Sequence, residues 1–376
     1  MNDQQLRIAV NGKSFSSQTK GGAIRASLNI VNSLHQRYCE QGTPNKLEIL
    51  IPSNRIFSHQ EIGVYESVSL KFFINPLFAN TYFKNIWEQI HLPLFLRKNQ
   101  SYQLLLNLTN SAPSLLPLSL SQVLLIHDAG FLNREWFDPI FSRYLKWILL
   151  QSQKRNIQLV TVSQFSAKDL LTYFPNINPP KVIFNGYDSP PKSINKNPYE
   201  FDYILFIGSI NPRKNLANLI HAYNLLKHRL GTGLKLVIIG SKKQIFKAGD
   251  ISSDADSDIL FTGYVDDPTK WSILEGAKCL VFPSFLEGFG LPILEAFSVG
   301  TPVVASDIPV FRELFKDAIE YVDPFLPDSI AQGIQNVLIN PTYQEDLVRK
   351  GHEIKNGFSW SQAAQSYDVL LQKILS

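Results

Sequence analysis

The sequence predicts an α/β protein made of two doubly wound domains, and three observations carry that prediction. Short, unbroken apolar runs recur along both halves of the 376-residue chain, as strands do when a parallel sheet is covered on both faces. Helix-type patterns separate most of these runs, the order that βαβ units require. Between the halves, residues 189–200 (SPPKSINKNPYE) collect prolines, lysines and asparagines and read as an interdomain linker.

In chain order, the first half offers the strands LRIAV, KLEILI, YQLLLNL, QVLLIH, IQLVTVS and KVIFN. The second half offers YILFIGS, LKLVIIG, DILFTG, CLVFP, TPVVAS and AIEYVD. The chain closes on SWSQAAQSYDVLLQKILS, where Trp360, Ala363, Ala364, Tyr367, Leu370, Leu371 and Ile374 make one helix face behind a Ser359 cap. No strand follows, so this helix must pack on a domain already built. The expected division is 1–190, 191–358 and a helix 359–376 returning toward the first domain.

Composition narrows the function classes. The chain is 44% hydrophobic and 18% charged, as ordinary globular domains are. Two distant cysteines, Cys39 and Cys279, exclude a disulfide framework and a cysteine metal site, fit a reducing cytoplasm, and read as buried packing residues. The apolar run after MNDQQ lacks a basic n-region, and no apolar stretch reaches membrane-spanning length. No secretory signal and no integral membrane segment are expected. Up to Asn197 there are 20 Lys+Arg against 11 Asp+Glu, and beyond it 16 against 21. The first half should therefore meet something anionic. With the aromatic and basic stretch 141–155 (FSRYLKWILLQSQKR), this suggests peripheral contact with an anionic membrane at its inner face, although that stretch equally suits a buried core helix.

The stretch SFLEGFGLPILEAFSVGTPVVASD, residues 284–307, raises a choice between nucleotide ligands. A dinucleotide turn would need a third glycine where Ile293 stands, and a tight turn where residues 283–287 intervene. Pro292 suits a first helical position and Gly300 the residue past the end. Glu287 then lies before the helix and Glu295 on its first turn. One carboxylate there is an ordinary dipole partner. Two around Gly288, Phe289, Gly290 and Leu291 suggest a site in which backbone N–H groups hold a diphosphate and the carboxylates take sugar hydroxyls.

A positive partner follows the first strand of the same half. In GSINPRKNL, Gly208 ends a strand and Arg213 and Lys214 precede a helix. Alone they are a solvated pair, but this is the edge at which open sheets bind ligands.

On these residues the chain resembles the retaining glycosyltransferases of family 4. Glu287 and Glu295 match that family's E-x7-E motif and PRKNL its Arg-Lys element, while TVSQFSAKDL, VIFNGYD and FTGYVDD resemble further segments. Phe184 departs from the pattern, where proline is expected. The resemblance implies the GT-B architecture of two facing Rossmann-like domains with a cleft between them. It implies that Glu287 contacts the donor sugar, that Glu295 contacts the ribose, and that Arg213 and Lys214 neutralise the diphosphate.

In the first half, KGGAIRASLNIVNSL places Gly21 and Gly22 before a helix with Ile24, Leu28, Val31 and Leu34 on one face. The glycines form a simple turn or let backbone approach an anion. The resemblance favours the donor phosphates. VLLIHDAGFL ends a strand on His127 and Asp128. His127 is a polar core residue or, by the resemblance, a contact to the donor sugar, and Asp128 is the nearby candidate base. NIWEQIHLP and LTNSAP resemble segments of bacterial surface-polysaccharide mannosyltransferases, and Trp87 and Glu88 otherwise read as an ordinary amphipathic helix.

The function expected is transfer of a hexose, with mannose from GDP-mannose preferred, to a hydroxyl of a glycan or lipid-linked acceptor. The nucleotide sugar is a co-substrate. No cofactor, metal or nucleic acid is expected, and the location is cytoplasmic. A nucleotide-sugar 2-epimerase of similar fold and a degenerate nucleotide-sugar binder are the alternatives.

Overall fold

The computed structural model describes residues 6–17, 21–42, 46–115, 120–133, 136, 139–155, 157–230, 233–240 and 258–376. Lys20, in the KGGAIR turn, and residues 1–5, which open the chain, lie outside them. Contacts divide the chain into a first unit, Met1–Gly186 with Ser359–Ser376, and a second unit, Tyr187–Phe358.

The first unit holds β1 (Arg7–Asn11), β2 (Lys46–Ser53), β3 (Ser69–Ile74), β4 (Leu104–Asn107), β5 (Ser121–Ile126), β6 (Ile157–Thr161) and β7 (Lys181–Val182). They form one parallel sheet in the order β3-β2-β1-β4-β5-β6-β7. β1 and β4 are its buried centre, with Ile8 facing Leu104 and Val10 facing Leu106. β3 is absent from the sequence reading. It pairs only with β2 and carries Lys71 at its middle, so it is half-exposed and breaks the continuous apolar pattern of a doubly covered strand. Phe184, where proline was expected, lies just past β7 and is exposed.

The helix Gly22–Glu40 buries Leu28, Val31, Leu34 and Tyr38. Cys39, one position past that face, is exposed beside His35 (Sγ to Nε2 3.6 Å), which corrects the expectation that it is buried. The helix Trp360–Leu375 packs on Gly22–Glu40 through Ala363, Ala364, Tyr367, Leu370 and Leu371. Each fully buried residue of Leu371's size is worth roughly 1.5–3 kcal/mol. Arg37 Nε lies 2.9 Å from Asp368 Oδ2 across the same seam. Ser359 Oγ caps the closing helix by accepting from the Gln362 N–H at 3.1 Å. The helix Pro139–Gln151, within the aromatic and basic stretch, buries Ser142, Leu145, Ile148 and Leu149, so one of its faces is core.

The second unit holds β8 (Tyr203–Ile207), β9 (Lys235–Ile239), β10 (Ile259–Gly263), β11 (Cys279–Phe282), β12 (Val303–Ser306) and β13 (Glu320–Val322). They form a parallel sheet in the order β10-β9-β8-β11-β12-β13. Phe206, Leu219, Leu236, Val281 and Ile334 lie at its core, and burial pushes the Cys279 thiol up to about 12. Residues 189–200 form no helix or strand, yet they are fastened to this unit. Ser272 Oγ donates to the Lys196 carbonyl (2.9 Å) and the Tyr203 hydroxyl to Asn197 Oδ1 (3.2 Å). Among the described residues, no helix is long and apolar enough to cross a membrane.

Candidate active site

In the second unit the strand order reverses at β8, which has β9 on one side and β11 on the other. The connections from these strands leave on opposite faces, which opens a crevice at their carboxyl ends where parallel sheets receive ligands. The loop after β8 carries Gly208 and then a 3₁₀ turn, Pro212–Lys214, capped by Asn211 Oδ1. Asn215 follows in the left-handed region, φ 59°, a conformation asparagine tolerates better than most residues. Its buried Nδ2 donates to the carbonyls of Pro283 (3.0 Å) and Pro324 (2.6 Å), tying this loop to those after β11 and β13. The Phe285 N–H donates to the Arg213 carbonyl at 2.9 Å. Arg213 and Lys214 are thus held beside the 283–290 loop.

That loop buries Glu287, Gly288, Phe289 and Gly290, and leads through the half-buried Leu291 into the helix Leu291–Val299. Gly290 has φ 112°, and a Cβ there would lie 3.1 Å from the rings of Phe311 and Phe315. Pro292 is the second helical residue and Glu295 the fifth. The carboxylate therefore stands on the second turn, not the first, because the helix begins one residue earlier than Pro292 suggested. Gly300 closes the helix in the left-handed region, φ 76°.

Two buried ion pairs organise this edge. Lys214 Nζ lies 2.5 Å from Glu287 Oε1, and Lys270 Nζ lies 2.8 Å from Glu295 Oε1. Lys270 stands on the helix Asp267–Glu275, beside Asp267 (3.8 Å) and over the Trp271 ring (4.4 Å). Sequence reasoning missed Lys270. Its signal was a lysine within a run of otherwise uncharged residues (WSIL), which only the fold reveals as buried. Ser284 and Ser306, near the ends of β11 and β12, are buried with hydroxyls that no described residue partners. Glu287 accepts a single hydrogen bond among the described residues, from Lys214, although it is only 6% exposed. A carboxylate can accept about four. Lys214 and Glu287 thus offer a cation and unspent acceptor capacity at one point, a combination suited to a ligand with both phosphate and hydroxyl groups.

In the first unit, Gly21 and Gly22 are exposed at the start of the helix Gly22–Glu40, which no side chain caps. A Cβ on either would meet nothing within 4 Å, so the unit's own packing does not demand glycine there. His127 follows β5, and its ring Nε2 lies 3.3 Å from the Leu108 carbonyl, to which it donates when protonated. Its backbone N–H donates to Asn110 Oδ1 at 2.9 Å. Asp128 Oδ1 accepts from the Gly130 N–H (2.8 Å) and closes the turn into Gly130–Leu132. Burial and the Asp128 charge raise the carboxyl of Asp169 above its ordinary value.

The structure also draws together residues that the sequence reading left apart. Trp87–His91 form a π-helical turn just before Pro93, which cannot donate to the Gln89 carbonyl and crowds it, so the helix widens there. Trp87 turns into the core against Phe73, with ring centroids 5.3 Å apart. Glu88 is fully buried and lies 2.7 Å from Lys13 Nζ. It also accepts from Asn11 (2.7 Å), Ser111 (2.8 Å), Tyr144 (2.7 Å) and Gln89 (3.3 Å). This is not the ordinary amphipathic helix expected. Burial alone would raise the Glu88 carboxyl. The Lys13 charge and the hydrogen bonds from Lys13, Tyr144 and Asn11 more than offset it and hold the group below its ordinary value. Burial and the Glu88 charge push the Tyr144 hydroxyl well above its ordinary value. Among the described residues, no group of three or more His, Cys, Asp or Glu comes together as a metal site.

Two Rossmann-like parallel-sheet domains with this crevice define a GT-B glycosyltransferase fold, and comparison with known proteins agrees. The chain has a TM-score of 0.71 to a structure of Anabaena Alr3699/HepE in complex with UDP and glucose, at 15% identity, covering 98% of this chain and 100% of that one. It has the same TM-score to sucrose-phosphate synthase from Thermosynechococcus elongatus, at 15% identity and 99% coverage of both chains.

Residues 191–354 match the family described as "Glycosyl transferases group 1". The chain is 30% identical over 268 residues to O-antigen chain mannosyltransferase B of Escherichia coli, covering 65% of this chain and 69% of that protein. It is 28% identical over 235 residues to O-antigen chain mannosyltransferase RfbU of Salmonella typhimurium, covering 59% and 62%. The chain belongs to the group 1 glycosyl transferases.

Proposed function

We propose that the protein is a retaining hexosyltransferase that moves mannose from GDP-mannose to a hydroxyl of a glycan or lipid-linked acceptor. The observation that carries this reading is the Lys214–Glu287 pair, held beside Arg213 where the strand order of the second sheet reverses. The mannosyltransferase names of the two O-antigen relatives support mannose as the sugar.

In the reaction, the bond from the anomeric carbon to the diphosphate oxygen breaks and its electron pair leaves with the diphosphate. The acceptor oxygen bonds to that carbon from the same face, and its proton passes to the departing phosphate oxygen. Arg213, Lys214 and the N-terminus of the helix Leu291–Val299 oppose the growing charge, a preorganised electrostatic contribution. Glu287 takes a sugar hydroxyl and Glu295 a ribose hydroxyl, while His127 lies on the sugar. Gly208, Gly288, Phe289, Gly290 and Leu291 line the donor's path. Gly21 and Gly22 bring backbone N–H groups to the phosphates. The Asp128 carboxylate, whose Oδ1 closes a turn on Gly130, is the other candidate to take that proton.

A thermal-shift panel of GDP-mannose, UDP-glucose, UDP-N-acetylglucosamine, ADP-glucose and NAD tests the reading. A ligand present at about 100 times its Kd stabilises the folded chain by roughly 2.7 kcal/mol. The largest response is expected from GDP-mannose and none from NAD. A dominant UDP-sugar response replaces the donor and keeps the class, and a response to NAD alone overturns both.

A further inference from the structure

β3 is an open edge of the first sheet, pairing only with β2. Proteins cover or charge such edges. Here the next elements of the chain, Pro76–Ala79, Thr81–Ile86, Trp87–His91 and Leu92–Lys98, fold back beside it. Phe73 of β3 meets the rings of Trp87 (5.3 Å) and Phe95 (5.0 Å). The cover is incomplete. A groove of about 340 Å³ remains, walled by Phe73, Leu77, Phe83, Ile86, Trp87 and His91, within the size range of small-ligand sites.

On the same elements Ile74, Leu77, Tyr82, Ile90 and Leu94 are between 41% and 66% exposed. Single exposed apolar side chains are ordinary, but five gathered on the elements around one groove mark a contact surface. The charge among them has one sign. Residues 68–100 hold Lys71, Lys84, Arg97 and Lys98 and a single acid, Glu88. That acid is fully buried and paired with Lys13. Lys84 is turned onto Ser16 Oγ, at 2.7 Å. Lys71 lies over the Phe95 ring (4.7 Å), and Arg97 and Lys98 are exposed in a last helical turn. Glu48 of β2, which accepts from Ser69, is bonded to Arg7 as well. The exposed face is therefore apolar and cationic.

That combination selects what covers it. A second copy adding its own β3 about a two-fold axis would set Lys71 against Lys71, and like charges opposed across strands are unfavourable. An anionic bilayer satisfies both features. Apolar side chains enter the acyl boundary, Tyr82 suits the interface, and the cations meet headgroup phosphates.

We propose that this face, from β3 to Lys98, docks on an anionic phospholipid bilayer, and that its groove admits an acyl chain. The surface differs from the stretch 141–155 that composition suggested. The helix there, Pro139–Gln151, turns Leu145, Ile148 and Leu149 into the core and serves as the control.

Co-sedimentation of the full chain with vesicles tests it, using phosphatidylcholine alone or equal parts phosphatidylcholine and phosphatidylglycerol, at low and high salt. Wild type is compared with Arg97→Gln/Lys98→Gln, Ile90→Ser/Leu94→Ser and the control Arg143→Gln/Lys146→Gln. Binding should require phosphatidylglycerol and weaken with salt. Arg97→Gln/Lys98→Gln should lower it about 25-fold, roughly fivefold for each basic residue at an anionic surface. Ile90→Ser/Leu94→Ser should lower it about tenfold through lost apolar burial, and the control should bind as wild type does. Ile90, Leu94, Arg97 and Lys98 are all exposed, so these variants should fold normally. Lipid brominated in its acyl chain should quench the tryptophan fluorescence of the wild type, and Trp87→Phe should remove much of that quenching. Equal quenching in Trp87→Phe would refute entry into the groove. Docking itself is overturned if the wild type binds no vesicles or binds both kinds equally at low salt, or if only the control pair loses binding. Self-association without vesicle binding, abolished by Ile90→Ser/Leu94→Ser, would give the face to a second copy instead.

Discussion

Glu88 in the first unit and Glu287 in the second are both buried carboxylates near the carboxyl edge of a parallel sheet, 2.7 Å and 2.5 Å from a lysine. They differ in how many other groups they hold. Glu88 takes hydrogen bonds from Asn11, Ser111, Tyr144 and Gln89 besides Lys13. Glu287 takes one from Lys214 among the described residues. A saturated carboxylate can only fix its donors in place, and an unsaturated one can still receive a ligand. The same residue pair thus serves as an anchor in one unit and, in the proposed function, as a receptor in the other.

Removing the anchor should have the largest effect. Glu88→Ala strands the buried Lys13 ammonium and should cost about 3–5 kcal/mol, the range for breaking a buried pair from one side. Urea unfolding at neutral pH measures it, and a loss under about 1 kcal/mol would end the description of Glu88 as an anchor. The pH dependence has a definite sign. A carboxyl held below its ordinary value when folded contributes stability above its unfolded value of about 4.3, and that contribution is lost as pH falls through the lower folded value. The acid loss attributable to this group should be missing in Glu88→Ala.

The receptor should respond in turnover instead. Lys214→Ala should lower kcat by roughly 10²–10³, the range for losing one preorganised donor to a developing negative charge. It also leaves the Glu287 carboxylate buried without its cation, so the single variant should unfold more readily. Adding Glu287→Gln should restore much of that stability and none of the turnover. Recovery of both, measured by unfolding and steady-state kinetics, would mean that the pair is structural in this unit as well.

This contrast also explains what the sequence allowed to be read. Glu287, Gly290, Pro292, Glu295 and Gly300 lie within one short stretch, so their spacing alone outlined a helix N-terminus with carboxylates around it. The anchor of the first unit draws on residues 11, 13, 88, 89, 111 and 144, which no local pattern connects. Only strand order brings them together. Lys270 stayed hidden for a related reason, because a charge within an apolar helical run has no local sign of the partner it buries against. β3 failed in the opposite direction. Its exposure at the sheet edge tolerates Lys71, which removes the continuous apolar signal that revealed the inner strands.

The smallest effects separate the two glycine turns. Gly290 sits at φ 112° with the Phe311 and Phe315 rings 3.1 Å from where a Cβ would be. Gly290→Ala should therefore cost roughly 1–3 kcal/mol, combining a left-handed backbone with a tight contact. Gly21 has an extended backbone, φ −67° and ψ 167°, and open space around its Cβ position. Gly21→Ala should cost about 1 kcal/mol, the margin by which alanine is a poorer helix cap than glycine. If Gly21 brings its backbone close to the donor phosphates, the same methyl group should also raise the donor KM. Unfolding curves and donor titrations of the two variants make the comparison. A Gly21→Ala protein with unaltered KM would show that the first turn needs no close approach. A large loss of stability would show that its glycine answers to the fold after all.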